Sequence, residues 1–315
     1  MAAVAGQFVY DVSDPVHPRL ICRSTTFSLQ TSIHLLDSHA ISYINLDGTQ
    51  VIVVRHDLIT GAETVIARLP ADPRGYPSAW TSDGTLEAYA WGEQVHLWSG
   101  GADHLLYTLK PHGPVGFESR WNGPWKLVQF SPDHAYLAIS YLFDVVHIFS
   151  VSDGRELLAT DTGYAQGGTW ADNDRFVFGS ATQVMQWTPT GGAKSIRAER
   201  WFGTISSRDG RWLAATAVTD SLQPHVNIVP VGGGQPFRTG LGSSPGFVTP
   251  TVVWYQEERP SQAYDPTEPD GVYHAFDVTT GTDQVFRFRA GEEPTAKVAA
   301  DQPPDNWCCA PGDAG

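Results

Sequence analysis

One short pattern recurs along the chain and limits what it can fold into. An apolar run of about six residues ends in a polar turn centred on Asp, often followed by Gly, and a second apolar run follows. The turns are Ile44–Gly48, Trp80–Gly84, Phe130–His134, Trp170–Asp174, Ser206–Gly210 and the Asp-less Phe247–Pro250. Taking Asp47, Asp83, Asp133, Asn173, Asp209 and Pro250 as equivalent, the steps are 36, 50, 40, 36 and 41 residues. A unit of that length holds four short antiparallel strands, and repeats of it build the blades of a β-propeller.

A second family of turns alternates with the first. Asp57-Leu-Ile-Thr-Gly61 and Asp277-Val-Thr-Thr-Gly281 are its clearest members. Asp11–Pro15, Trp98–Gly101, Ser150–Gly154, Trp187–Gly191 and Val231–Gly234 hold equivalent places. Each separates two alternating apolar runs, as a hairpin turn does. With strands lettered a to d in chain order, the first family makes the a–b turn and the second the c–d turn. One unit shows the whole set: Trp125–Phe130 (a), Tyr136–Tyr141 (b), Val145–Ser150 (c) and Glu156–Asp161 (d). No segment of 11 or more residues carries helical periodicity.

The expected fold is therefore all-β: a propeller of four-stranded antiparallel blades within residues 1–291, seven-bladed with one blade incomplete. A six-bladed ring with an N-terminal hairpin is the alternative. The units run over about 8–27 (partial), 31–71, 76–109, 125–161, 164–198, 201–240 and 243–291. The partial unit offers Phe8–Val12 and Arg19–Arg23 as strands c and d, which leaves its inner strands to the C-terminus. The tail 292–315 holds one candidate strand, Thr295–Ala300, and then a Pro-, Gly- and Asp-rich stretch that reads as loosely ordered.

The Asp-Gly turns after aromatic-led strands resemble those of TolB-type and related bacterial WD-like propellers. Val9-Tyr-Asp-Val-Ser-Asp-Pro-Val-His-Pro-Arg-Leu20 is similar to a bacterial propeller repeat of the form Y-D-V-S-D-P-x-x-P. The resemblance spans roughly residues 8–291. It implies a recognition scaffold or a part of a larger assembly, with ligands on the face formed by the b–c and d–a loops. The Gly-His…Trp-Asp signature of eukaryotic WD repeats is missing. So is the Ser-x-Asp-x-Gly box of sialidases, since Ser207-Arg-Asp-Gly210 sets Asp and Gly side by side.

Charge narrows the partners. The chain's 315 residues include 20 Lys and Arg against 34 Asp and Glu, a net charge of −14. No basic run is present to neutralise a phosphate backbone or an anionic membrane surface, so nucleic acid is not an expected partner. No stretch reaches the ~18 apolar residues of a membrane span. Met1–Gly6 lacks the basic and apolar regions of a signal peptide, which suits the cytoplasm or a trimmed exported protein. The three cysteines, Cys22, Cys308 and Cys309, lack metal-ligand spacing; Cys22 reads as a small core residue and the adjacent pair as part of the tail.

Two long insertions are the candidate site. Lys110–Pro124 joins strand d of one unit to strand a of the next, and Glu257–Gly271 joins b to c in the last unit, so both open on one face. Arg120, Trp121 and Trp125, in and just after the first, are of the types that dominate recognition hot spots. The second holds Tyr264 and five carboxylates within 257–270, among them Glu257 and Asp265. Such a group could take Ca²⁺ or another divalent cation, although the Asp-x-Asp-x-Asp-Gly pattern is absent. No cofactor is expected. No nucleophile elbow, His-x-His or His-Glu-x-x-His occurs. The expected function is non-catalytic binding of a protein, peptide or glycan on this face. The alternative is a metal-dependent hydrolase, lactonase or lyase with its site at the central channel.

Overall fold

The computed structural model describes residues 1–5, 8–23, 33–37, 39–47, 50–70, 77, 79–92, 94–108, 125–141, 143–165, 168–180, 182–218, 223–257 and 271–288. These contain 26 strands and no helix, hence no helix long and apolar enough to cross a membrane. All strand pairings are antiparallel between chain neighbours, which is the meander of a propeller blade.

The strands are β1 Ala2–Ala5, β2 Phe8–Asp11 and β3 Arg19–Arg23; β4 His34–Leu35, β5 Ala40–Asp47, β6 Gln50–Asp57 and β7 Glu63–Arg68. Next come β8 Ala79–Ser82, β9 Leu86–Trp91, β10 Gln94–Ser99 and β11 Ala102–Thr108. They are followed by β12 Trp125–Phe130, β13 Tyr136–Tyr141, β14 Phe143–Ser150 and β15 Glu156–Ala165. The remainder are β16 Gly168–Asp172, β17 Arg175–Gly179, β18 Val184–Thr188 and β19 Gly192–Arg197; β20 Trp201–Ser206, β21 Trp212–Val218, β22 Pro224–Pro230 and β23 Phe237–Phe247; and β24 Val252–Glu257, β25 Tyr273–Asp277 and β26 Thr282–Phe286.

Local chemistry explains the c–d turns, all of which fall between strands. Asp57 Oδ1 accepts from Thr60 N at 2.8 Å, and Gly61 N donates back to Asp57 O at 2.9 Å. The later copy repeats this at Asp277, where Thr279 N donates to Oδ1 and Gly281 N to the carbonyl, both at 2.8 Å. Gly61 and Gly281 both sit at φ 70°, a left-handed conformation in which a Cβ is strained.

Sheet packing follows from alternation: successive residues of a strand point to opposite faces, and each face meets a different neighbour. In β9, Ala88 and Ala90 pack against Val128, Phe130, Leu137 and Ile139, whereas Tyr89 and Trp91 pack against Ile44, Val51, Val53 and Leu69. The same division continues along the chain, with one apolar cluster between each consecutive pair of four-strand units. It also closes the circle. Ala2, Val9, Ile33 and Ile41 join the β1–β3 sheet to the β4–β7 sheet. Phe8, Tyr10 and Val12 join it to Val248, Trp254, Tyr273 and Phe286 of the last strands. Trp254 Nε1 donates to Pro15 O at 2.9 Å, across 239 residues of sequence.

Three expectations need correction. The partial N-terminal unit has three strands, not two, because Ala2–Ala5 pairs with Phe8–Asp11; the segment is short and made of small apolar residues. Asp47-Gly48 is not an a–b turn. It joins β5 to β6, with Asp47 paired to Gln50, and the a–b turn of that unit lies at Asp37, whose Oδ1 accepts from His39 N at 2.7 Å. Nor are there seven separate sheets. Among the described residues hydrogen bonding defines six, five of three or four strands and one of seven, β20–β26. They merge because β23 runs unbroken from one unit into the next: Phe237–Leu241 pairs with β22 and Gly242–Phe247 with β24.

The N-terminal sheet is buried on both sides, so deleting residues 1–28 strips the cover from Trp254 and Ile41 together. The expected outcome is aggregation or a markedly lower melting temperature. A soluble truncation with an unchanged melt would show the sheet to be an appendage.

Candidate functional site

Of the residues singled out for the site, the structure describes two in part. Trp125 opens β12 and Glu257 closes β24. Arg120, Trp121, Tyr264 and Asp265 lie outside the described residues, as do all of 110–124, 258–270 and the tail.

Glu257 is anchored to the base of its loop, with its N–H donating to Val272 O at 2.9 Å. Its Oε2 lies 3.8 Å from His274 Nε2, a charge contact beyond hydrogen-bond reach. His274 Nδ1 in turn faces Asp283 Oδ2 at 3.1 Å, and Tyr255 OH donates to the same oxygen at 2.6 Å. The Tyr255 and His274 rings stack, with centroids 4.6 Å apart and planes 12° apart. Burial, then the Asp283 hydrogen bond, pushes the Tyr255 hydroxyl well above the usual phenol range, so it remains a donor.

This Tyr–His–Asp arrangement recurs. In the β8–β11 sheet, Tyr89 OH donates to Asp103, His96 Nδ1 faces the same carboxylate at 3.0 Å, and the two rings stack at 5.2 Å. In both sheets the Tyr and His are direct cross-strand partners and the Asp comes from the outer strand. A variant in β4–β7 uses Tyr43, His56 and Glu63, at 2.7 Å and 3.2 Å. A fourth unit keeps His147 and Glu156, puts Ile139 opposite the histidine, and brings Tyr107 of the adjoining sheet against its ring at 4.6 Å. Repetition marks the arrangement as a brace of the scaffold. Sequence reasoning missed it, although a signal exists: the acid always stands two residues after the turn glycine, at Gly61/Glu63, Gly101/Asp103, Gly154/Glu156 and Gly281/Asp283.

Other polar groups are held within the unit of β20–β23. Glu199 Oε2 accepts from Trp201 Nε1 and Asn227 Nδ2, both at 2.9 Å. His225, buried at the start of β22, is held below its ordinary range by desolvation and then by the Arg238 charge. No group of three or more His, Cys, Asp or Glu among the described residues is arranged to hold a metal ion.

With this geometry in view, solved structures similar to this chain include propellers, and they show the fold alone. A proposed 6-phosphogluconolactonase from Bacteroides uniformis is 14% identical, with a TM-score of 0.58 over 88% of this chain and 90% of that one. An oligogalacturonate lyase solved with manganese is 11% identical, with a TM-score of 0.55 over 84% of this chain and 77% of that one. The C-terminal WD40 domain of Sif2 is 17% identical, with a TM-score of 0.52 over 79% of this chain and 68% of that one. No family model matches, and no curated relative does. The fold is a β-propeller related in shape to WD40 domains.

The brace can be tested by removing one hydroxyl. A hydrogen bond to a charged group contributes about 1.5–3 kcal/mol, less where the acceptor is partly exposed as Asp283 is. Tyr255→Phe and Tyr89→Phe are each expected to lower unfolding stability by about 1–2 kcal/mol in a urea titration. No loss in either variant would remove the brace from the account.

Proposed function

We propose that this protein is a non-catalytic propeller scaffold. It binds a protein, peptide or glycan on the face that carries the 110–124 and 257–271 loops. The observation that supports this reading is where the loops are rooted. The first insertion follows β11, which contributes Asp103 to one Tyr–His–Asp brace. The second is framed by β24 and β25, which contribute Tyr255 and His274 to the other. Both insertions thus spring from strands braced to their neighbours, the usual setting of recognition loops.

We also infer a ring of seven positions. The β20–β26 sheet counts as two blades sharing β23, and the β1–β3 sheet is the incomplete blade, whose inner place residues 295–300 would fill. In such a ring, alternation puts the b–c and d–a loops, and so both insertions, on one face. Affinity then resides in a few aromatic and Arg side chains, with Arg120, Trp121 and Tyr264 as anchors and Trp125, Glu257 and Asp265 as their surroundings.

The test is a pull-down from the source organism followed by titration of the recovered partner. Replacing a true anchor by Ala costs about 2 kcal/mol or more, about a thirtyfold weaker Kd. Arg120→Ala, Trp121→Ala and Tyr264→Ala are expected to weaken binding to that extent with unchanged melting temperatures. Unchanged binding in all three would sink this face as the site. Elemental analysis of the dialysed protein discriminates the enzyme reading: stoichiometric Ca, Mn or Zn would favour a channel-centred metal enzyme.

A further inference from the structure

Indole N–H groups buried between sheets are paired in three seams of this ring. Trp170 Nε1 donates to Gln129 O at 3.1 Å, Trp201 Nε1 to Glu199 at 2.9 Å and Trp254 Nε1 to Pro15 O at 2.9 Å. The seam between the β4–β7 and β8–β11 sheets differs. Among the described residues, Trp80 Nε1 and Trp91 Nε1 are buried there without a hydrogen-bond partner, and so are Ser42 Oγ and Glu87 Oε2. Unpaired buried polar groups are rare, and each weakens the interface that holds it.

Glu87 is the least expected of these. It stands four residues after Asp83, the place taken by Leu137 after Asp133 and Leu213 after Asp209, both buried core residues. It is only 2% exposed, and among the described residues its side chain has one hydrogen bond, from Ser82 Oγ to Oε1 at 3.0 Å.

We propose that this seam is a pH-gated joint of the ring, closed while Glu87 carries a proton and admitting water when Glu87 ionises. The groups around it are these. Ser82 and Asp83 lie at the end of β8, and Trp98 of β10 pairs opposite Glu87. Tyr89, His96 and Asp103 share its face of the sheet, and Asp83 pairs with His134 at 2.8 Å. Across the seam stand the apolar Ile44, Val51, Val53, Ala67 and Leu69. With them is His34, whose Nε2 lies 3.1 Å from Trp80 O, and, in the row of Ser42, the exposed Arg55 paired with Asp37 at 3.3 Å. None of these is a cation placed to neutralise Glu87, and Asp83 opposes its ionisation.

Burial, only partly offset by the Ser82 hydrogen bond and reinforced by the Asp83 charge, pushes the Glu87 carboxyl up from 4.5 to about 8. Burial, partly offset by the bond to Trp80 O, pulls His34 down from 6.5 to about 4. A raised acid binds its proton more tightly in the closed seam, so closure weakens as pH rises from about 4.5 to about 8. A lowered base does the opposite between about 4 and 6.5. The two cancel up to pH 6.5. From 6.5 to 8 Glu87 acts alone, and the opening constant rises tenfold per pH unit, about thirtyfold in all.

Indole hydrogen exchange in the full-length protein, followed by NMR, reads this directly. After correction for the intrinsic pH dependence, Trp80 and Trp91 indole exchange is expected to speed up about thirtyfold between pH 6.5 and 8, with no such gain at Trp170 or Trp254. Glu87→Gln is expected to abolish the gain. Glu87→Leu, matching Leu137, does the same if the amide is poorly tolerated. Absence of the extra acceleration in the wild type, or its persistence in both variants, would overturn the proposal.

Discussion

Everything in this molecule depends on the burial of both faces of each sheet against two different neighbours. A strand presents alternate residues to opposite sides, so a single run such as Leu86–Trp91 serves two interfaces at once. That arrangement has no natural end except closure. The first sheet must meet the last, and Tyr10 and Val12 against Trp254 and Tyr273 supply that contact. A meander of this length left open would expose two apolar faces, which is an aggregation hazard.

Polar chemistry is added to this apolar frame in two ways. Where a carboxylate from the outer strand meets a histidine and a tyrosine from the strands inside it, all three groups are engaged, and the brace ties three strands into one unit. Where a polar group enters a seam only half-paired, as Glu87 does, it leaves a weak joint. The two cases lie within one sheet, β8–β11, which holds a complete brace at Tyr89–His96–Asp103 and the half-paired carboxyl of Glu87 two residues away on β9. Rigidity near the insertions and looseness at one seam thus arise from the same residue types, sorted by whether each donor finds its acceptor.

Much of the architecture was legible in the chain because turns are local. Asp57 and Gly61 fix their own geometry with no help from the rest of the fold, and their copies could be found by eye. Asp47-Gly48 misled for the same reason: an Asp-Gly pair in the sequence reads alike whichever two strands it separates. The true first strand of its unit, His34–Leu35, is too short to show alternation. The N-terminal strand Ala2–Ala5 is too short and too uniformly small to show alternation, and the run of β23 through two units crosses the place where the repeat puts a boundary, so neither stands out in the local pattern. The brace was half-legible: the Gly-x-acid spacing is visible, but only the cross-strand register joins Asp283 to Tyr255 and His274. The proposed recognition residues belong to loops whose chemistry, unlike their position, is not repeated, so periodicity could locate them and say nothing of what they hold.

Closure of the ring is the claim on which the rest stands, and native-state backbone hydrogen exchange measures it. If the N-terminal sheet is an integral member, the amides of Phe8–Tyr10 in β2 exchange only through global unfolding, with the same opening free energy as those of Val253–Tyr255 in β24. Exchange of β2 through a much cheaper local opening, with β24 still fully protected, would contradict the account.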